Sequence, residues 1–326
     1  MPNSNIGRVA LVIPCLYRNP SLNNYSIRKG ASRGMGAHTA LCLARDGFTV
    51  ALSSRAVGQA SDAQNSSVAA TKLSSPTLTL ADVKRVIDAE CNNDRSKVFA
   101  CDVTDDASIQ KLIDSVVADL GRIDVVVYNA GAIFWGEVKD TTNKKFQLLN
   151  RVNTLGLYKV VDTVLPIFNK AKSGRFVVIS PPIYSRFFRG KTSYAMTKVA
   201  MTVLTHGLAM ELKDNVAITS LWPATALQSA VTEVKSVPTG FLRDAKIFGD
   251  AIVGICNEPA AKVNGLALLD EDYLREFRGV TDFSQYRLDP NVEPPRMMPM
   301  KFPSLLVEEQ DDRGFSVGLS AEKSKL

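Results

Sequence analysis

The chain is poor in the residues that build metal centres and disulfide scaffolds, with 2 histidines and 5 cysteines among 326 residues. His38 and His206 are too few for a histidine-based metal site, and each reads as an ordinary helix-face residue. Cys15, Cys42, Cys91, Cys101 and Cys256 are odd in number, widely spaced and free of any Cys-x-x-Cys pair. They argue against a disulfide framework or a zinc site and read as reduced intracellular thiols. No apolar run reaches the roughly 18 residues of a membrane span, so none is expected. Met1-Pro2-Asn3-Ser4-Asn5 lacks a basic stretch leading into an apolar one, so secretion is not indicated. Lys and Arg exceed Asp and Glu by only 6 and form no run interleaved with aromatics. Nucleic acid is therefore not an expected partner, while the excess favours anionic ligands. No internal repeat is visible. What remains, 45% hydrophobic and 22% charged, suffices for a large core.

Taken in order, short β-branched apolar runs alternate with helical periodicity. Strands are expected over 8–13, 48–53, 97–101, 124–128, 175–179, 217–221 and 265–269. The alternation implies a Rossmann-like, doubly wound α/β fold: a seven-stranded parallel sheet with helices on both faces. The strand order expected is 3-2-1-4-5-6-7. One domain is expected over 1–279. The Pro-rich and then charged stretch 280–326 reads as an extended or disordered tail.

Several turns carry chemistry. Gly30-Ala31-Ser32-Arg33-Gly34-Met35-Gly36 precedes a helix, and its glycines let the backbone approach a pyrophosphate at that helix's N-terminus. Sixteen residues, 14–29, separate this turn from the first strand, where a few suffice. They are either an extruded surface loop or an in-frame translated intron; Leu22-Asn23 can be encoded by CTAAC, which resembles a branch-point signal. The second strand ends at Ser53-Ser54-Arg55 without the acidic residue that a free ribose 2′-hydroxyl favours, so Arg55 and Arg33 suit a 2′-phosphate instead. Asp102 is placed to accept from an adenine amino group or simply to cap a turn. Asn129-Ala130-Gly131 offers a supporting turn for the same ligand. Asn153 lies inside a helical stretch expected over 142–169, where its side chain can divert a backbone hydrogen bond or hold a water. Ser180, at a strand's C-terminal edge, is well placed for chemistry. Residues 226–245 read as a lid over the substrate.

Tyr194 and Lys198 are four apart on one expected helical face, where a lysine favours the phenolate and fits the tyrosine for proton transfer. Alone the spacing is common. In company with the glycine turn, Asp102-Val103, Asn129-Ala130-Gly131, Asn153-x-x-Gly156, a strand-end serine and Pro223, it resembles the short-chain dehydrogenase/reductase family over about 8–269. Ser180-Pro181-Pro182, Tyr194-Ala195-x-x-Lys198 and Leu221-Trp222-Pro223-x-Thr225-Ala226 look closest to the hydroxysteroid-dehydrogenase-like subgroup. That resemblance implies NADP(H)-linked interconversion of a carbonyl and an alcohol. It implies Tyr194 as acid/base, Lys198 on the nicotinamide ribose, Ser180 on the substrate oxygen and Asn153 placing a relay water. Cofactor contacts are expected from Gly30, Ser32, Arg33, Gly34, Gly36, Arg55, Asp102, Val103, Asn129, Ala130, Gly131, Tyr194, Lys198 and Thr225.

Four positions depart from the family pattern: Lys29 where a threonine is common, Tyr128 for a frequent asparagine, Pro181 where many members have a second serine, and Ala224 for the usual glycine. The aromatics Tyr184, Phe187 and Phe188 near the site are either core or subunit contacts or the lining for an apolar substrate, lipid, acyl, polyketide or terpenoid in kind, with specialised metabolism as one setting. A catalytically weak dinucleotide-binding protein is the alternative. The resemblance also implies a homo-oligomer. Ser324-Lys325-Leu326 is a peroxisomal address read by an import receptor, with the cytosol as the location if it is unused.

Overall fold

A computed structural model describes residues 5–13, 17–18, 27–28, 34–55, 73, 78–91, 95–229, 232 and 236–305. The expected Gly30, Ser32, Arg33 and Ser324-Lys325-Leu326 lie outside these residues. Seven parallel strands form one sheet: β1 Val9–Ile13, β2 Thr49–Ser54, β3 Ser96–Ala100, β4 Val125–Tyr128, β5 Ser173–Ile179, β6 Asn215–Trp222 and β7 Ala267–Leu269. Their order is 3-2-1-4-5-6-7, the order expected. The reversal between β1 and β4 opens a crevice at the carboxyl ends, where ligands of such sheets bind.

Side-chain alternation explains the two-sided cover. Ala10 and Val12 of β1 enter a core with α1 (Met35–Arg45), α2 (Leu80–Cys91) and α7 (Lys246–Asn257). Val9, Leu11 and Ile13 enter a second core with α3 (Asp106–Leu120), α5 (Gly156–Ala171) and α6 (Thr192–Glu211). A shorter helix, α8 (Asp270–Arg278), follows β7 and packs against α7. Within the stretch between β1 and the glycine turn, Tyr17–Arg18 pairs antiparallel with Ile27–Arg28. The sixteen residues thus leave β1 in its central place, bonded to β2 and β4.

The helix expected over 142–169 is divided. α4 (Asn143–Leu149) passes through a π-helical turn, Asn150–Leu155, into α5. The cause is tertiary. The Asn153 side chain pairs with both backbone groups of Ala132, accepting from its amide at 2.7 Å and donating to its carbonyl at 3.0 Å. The Tyr128 hydroxyl donates to the Val152 carbonyl inside the turn. Gly156 closes the arrangement: a Cβ there would lie 2.6 Å from both the Tyr128 hydroxyl and the Val103 carbonyl oxygen. Single π turns of this kind concentrate at functional sites.

Residues 280–305, which include a 3-10 turn at Ser284–Tyr286, are held against the domain. Phe283, Tyr286 and Met298 are buried. The Met297 and Met298 amides donate to the Ala224 carbonyl at 2.9 and 3.0 Å. Arg296 forms a two-pronged pair with Asp272 at 2.6 and 2.7 Å.

Candidate active site

The strand ends bring the expected residues to one edge of the sheet. β5 ends at Ile179, and the Lys198 ammonium, 3% exposed, donates to its carbonyl at 2.7 Å. Tyr194 is also 3% exposed, one turn earlier on the buried face of α6. Thr197, between them in sequence, is the link that sequence reasoning missed. Its hydroxyl donates to the Tyr194 carbonyl at 2.8 Å and accepts from the Asn153 amide at 2.8 Å. Because Asn153 also holds Ala132, the turn after β4, the π turn and the tyrosine helix are fixed to one another through buried hydrogen bonds. The only signal in the sequence was a threonine inside the Tyr-x-x-x-Lys interval.

Ser180 follows Ile179 and is fully buried. Thr202 Oγ1 donates to its hydroxyl at 2.9 Å and lies 2.8 Å from the Pro181 carbonyl oxygen. The serine therefore faces the α6 contact. Asn153, for its part, has both ends of its amide engaged by Ala132 and Thr197.

At the crevice, the Asn129 amide donates to the Ile13 carbonyl at 3.0 Å, joining the ends of β1 and β4. The Asn129 side chain makes no hydrogen bond among the described residues, although the residue is 6% exposed. Ala130, Gly131 and Val103 are buried beside it. Gly34 opens α1 with φ 59, ψ −141, a conformation suited to glycine, and Gly36 is buried in the first turn. On the far side of β1, Arg55 ends β2 with a guanidinium nitrogen 3.7 Å from Asp102 at the end of β3. Asp102 also accepts from the Thr104 amide and hydroxyl at 3.0 and 2.8 Å. Three strand spacings separate β2 from β5, about 14 Å, so this pair and Tyr194 lie at opposite ends of an elongated crevice. A carboxamide at its centre without a partner among the described residues, a glycine-led helix N-terminus, an arginine at one end and a buried lysine at the other fit a dinucleotide.

Thr225 lies in the loop that follows β6. Its hydroxyl donates to Glu271 at 2.7 Å, and Glu271 also accepts from Arg243 Nε at 2.6 Å, all three residues being buried. Arg243 reaches Glu293 as well, on the segment after α8. Asp270 accepts from the Ala224 and Glu271 amides at 2.8 Å each with one oxygen, and its other oxygen has no hydrogen-bond partner among the described residues. Burial pushes this carboxyl up to about 7, against the two amide hydrogen bonds that favour its charge. The loop following β6 is thus tied to α8 and to residues 291–298.

Aromatic rings adjoin the tyrosine. Phe187 lies 6.3 Å from Tyr194, 5.9 Å from Trp222 and 5.9 Å from Tyr184, centroid to centroid. Phe302 meets Tyr184 at 5.5 Å, and the Tyr184 hydroxyl donates to Met298 Sδ at 3.3 Å. Burial raises the Tyr184 phenol above its ordinary value, opposed by the charge of Arg186. No helix among the described residues is long and apolar enough to cross a membrane.

Comparison with known proteins gives the family. The short chain dehydrogenase family model matches residues 27–236. The human hydroxysteroid dehydrogenase-like protein 2 is 29% identical over 267 residues, covering 80% of this chain and 59% of its own. This chain thus spans about three fifths of that relative. A short chain dehydrogenase structure from Mycobacterium thermoresistibile is 26% identical with a TM-score of 0.73, covering 90% of this chain and 95% of its own. A metagenomic short-chain oxidoreductase solved with NADP shares the fold at 22% identity and a TM-score of 0.58, covering 82% and 97%. The chain belongs to the short chain dehydrogenase family, whose members bind a nicotinamide dinucleotide. Within it, the resemblance runs to the hydroxysteroid dehydrogenase-like subgroup. The family match begins at residue 27, so the assignment of β1 across the intervening sixteen residues comes from the sheet itself.

Proposed function

We propose that the chain is an NADP(H)-dependent oxidoreductase that interconverts a carbonyl and an alcohol on an apolar substrate, in a peroxisomal and specialised-metabolic setting. The observation that carries this reading is the buried Tyr194 and Lys198 on one face of α6, with the lysine anchored at the end of β5 and the helix fixed to Asn153 through Thr197. Bound nicotinamide supplies or takes up the hydride. Tyr194 gives a proton to the substrate oxygen in reduction and removes it in oxidation. Lys198 keeps a positive charge beside the site, favours the phenolate and holds the nicotinamide ribose. Asn153 acts through the π turn: its amide is engaged, so a relay water rests on backbone groups that the turn leaves free. Arg55 receives the 2′-phosphate, Asp102 the adenine, and Asn129, Ala130, Gly131, Val103 and Thr225 line the cofactor's path.

Ser180 accepts from Thr202 and keeps its own O–H for the substrate oxygen, but it is fully buried, and this favours a second reading, a catalytically weak dinucleotide-binding protein. NADPH consumption with a panel of apolar ketones and aldehydes separates the two. Turnover by the full chain supports the enzyme. Turnover only after removal of residues 14–29 supports the translated-intron account, and turnover by neither supports the second reading.

Pairing with a second copy is part of the proposal, supported by the exposed Leu155 and Tyr158 on the π turn and α5 and by Met196, Val203 and Met210 on α6. Peroxisomal import through Ser324-Lys325-Leu326 rests on the tripeptide as a receptor-read address. Unchanged import after its deletion sinks that part.

A further inference from the structure

Charge is concentrated beside the candidate catalytic tyrosine. Residues 134–145 carry Lys139, Lys144 and Lys145 against Glu137 and Asp140, and residues 184–191 carry Arg186, Arg189 and Lys191 with no acid. These two short stretches hold a surplus of four positive charges, against six for the whole chain. Glu137 is occupied by Lys139 at 2.9 Å. Among the described residues no carboxylate pairs with Arg186 or Arg189, whereas Arg122, Arg243, Arg287 and Arg296 each hold one.

The two stretches meet. The Lys191 ammonium lies 5.7 Å from the Trp135 ring centroid and 4.3 Å from that of Phe187, and Phe187 in turn packs on Tyr194. Lys145 sits 3.9 Å from the Phe134 centroid. The charge of Arg186 acts on the phenol of Tyr184, which closes the aromatic row with Met298 and Phe302. Lys191, one ring away from the tyrosine, and Lys145 are held against aromatic faces, and with the exposed Arg186 and Arg189 they make an amphipathic rim: rings for an apolar body, ammonium and guanidinium groups for an anion.

We propose that Arg186, Arg189 and Lys191, with Lys145 on the adjoining stretch, form an anion subsite that selects apolar carbonyl substrates bearing a carboxylate or phosphate away from the reacting carbon. This rests on the reading of Tyr194 as the acid/base. Two sources share the chemistry, a free keto acid and a phosphorylated thioester carrier, and the test separates them.

The test measures NADPH oxidation by the full chain with a medium-chain keto acid, its methyl ester and its coenzyme A thioester. The subsite predicts a higher kcat/KM for the acid or the thioester than for the ester, and the preferred arm identifies the source. In the double variant Arg186→Gln, Arg189→Gln, the ratio of anionic to ester kcat/KM falls by about tenfold, the scale of two exposed charge pairs. In the wild type, added salt raises KM for the anionic substrate more than for the ester. An ester as good as both anionic substrates, or an unchanged ratio in the double variant, overturns the proposal. If none of the three turns over, the reading of Tyr194 fails, and calorimetric titration with octanoate and octanol decides the subsite alone. Tighter binding of octanoate that weakens in the double variant supports it, and equal affinity of the two overturns it.

Discussion

Asp270→Asn gives the sharpest stability test, because one carboxyl oxygen is bonded to two amides and the other to nothing described. Full burial raises the group from its ordinary 3.8 to about 7. A folded-state value above the unfolded one means that its stabilising contribution is fully present below pH 3.8 and is lost as the pH rises through 7. The whole shift corresponds to roughly 4 kcal/mol, of which about 3 kcal/mol fall between pH 5 and pH 8.5. Asparagine keeps the accepting oxygen and stays neutral, so it removes this pH dependence. Its new N–H adds an unsatisfied donor, a penalty of about 1–3 kcal/mol that is the same at both pH values and cancels in the comparison. Urea unfolding of wild type and variant at pH 5 and pH 8.5 should therefore show the variant gaining about 3 kcal/mol relative to wild type at the higher pH. In melting temperature that is about 5 °C for a chain of this size. A wild-type-to-variant difference identical at the two pH values refutes the account of Asp270.

Three other outcomes follow from the geometry. Gly156→Ala forces a methyl group against the Tyr128 hydroxyl and the Val103 carbonyl, both 2.6 Å away, and should destabilise the fold by about 1–3 kcal/mol in denaturant melts. Arg243→Met leaves Glu271 buried without its cation and should lower stability by about 3–5 kcal/mol, more than Arg287→Met, whose site is more exposed. Arg55→Asp should move cofactor preference toward NAD(H), and an unchanged ratio of kcat/KM for NADPH and NADH counts against Arg55 as the 2′-phosphate ligand.

What the sequence revealed, and what it hid, divides along contact range. Val9 to Ile13 and the later β-branched runs announce buried strands because their neighbours in the chain suffice to define them, and the helices between them enforce parallel order. The π turn at Asn150–Leu155 was hidden, since its cause is the pairing of Asn153 with Ala132, 21 residues away. Asn153 and Gly156 inside one helical pattern were its only trace. The Thr225, Glu271, Arg243 and Glu293 chain joins four distant segments and has no spacing signature. Prolines between 290 and 303 read as a loose tail, yet the backbone they extend pairs with Ala224 and seats Met298 and Phe302 beside Tyr184. Ser180 stands at the strand end as expected, but the hydrogen bond its oxygen accepts from Thr202 could be learned only from the packing of α6.

The central claim is that Tyr194 is the proton donor and acceptor of a carbonyl reduction, and comparing wild type with Tyr194→Phe on one turned-over substrate tests it most directly. The phenyl ring preserves the contact with Phe187 and removes only the hydroxyl. The account predicts a loss of kcat of at least about a hundredfold, the scale of general acid–base catalysis, with the NADPH dissociation constant changed little. A variant that keeps the wild-type kcat contradicts it.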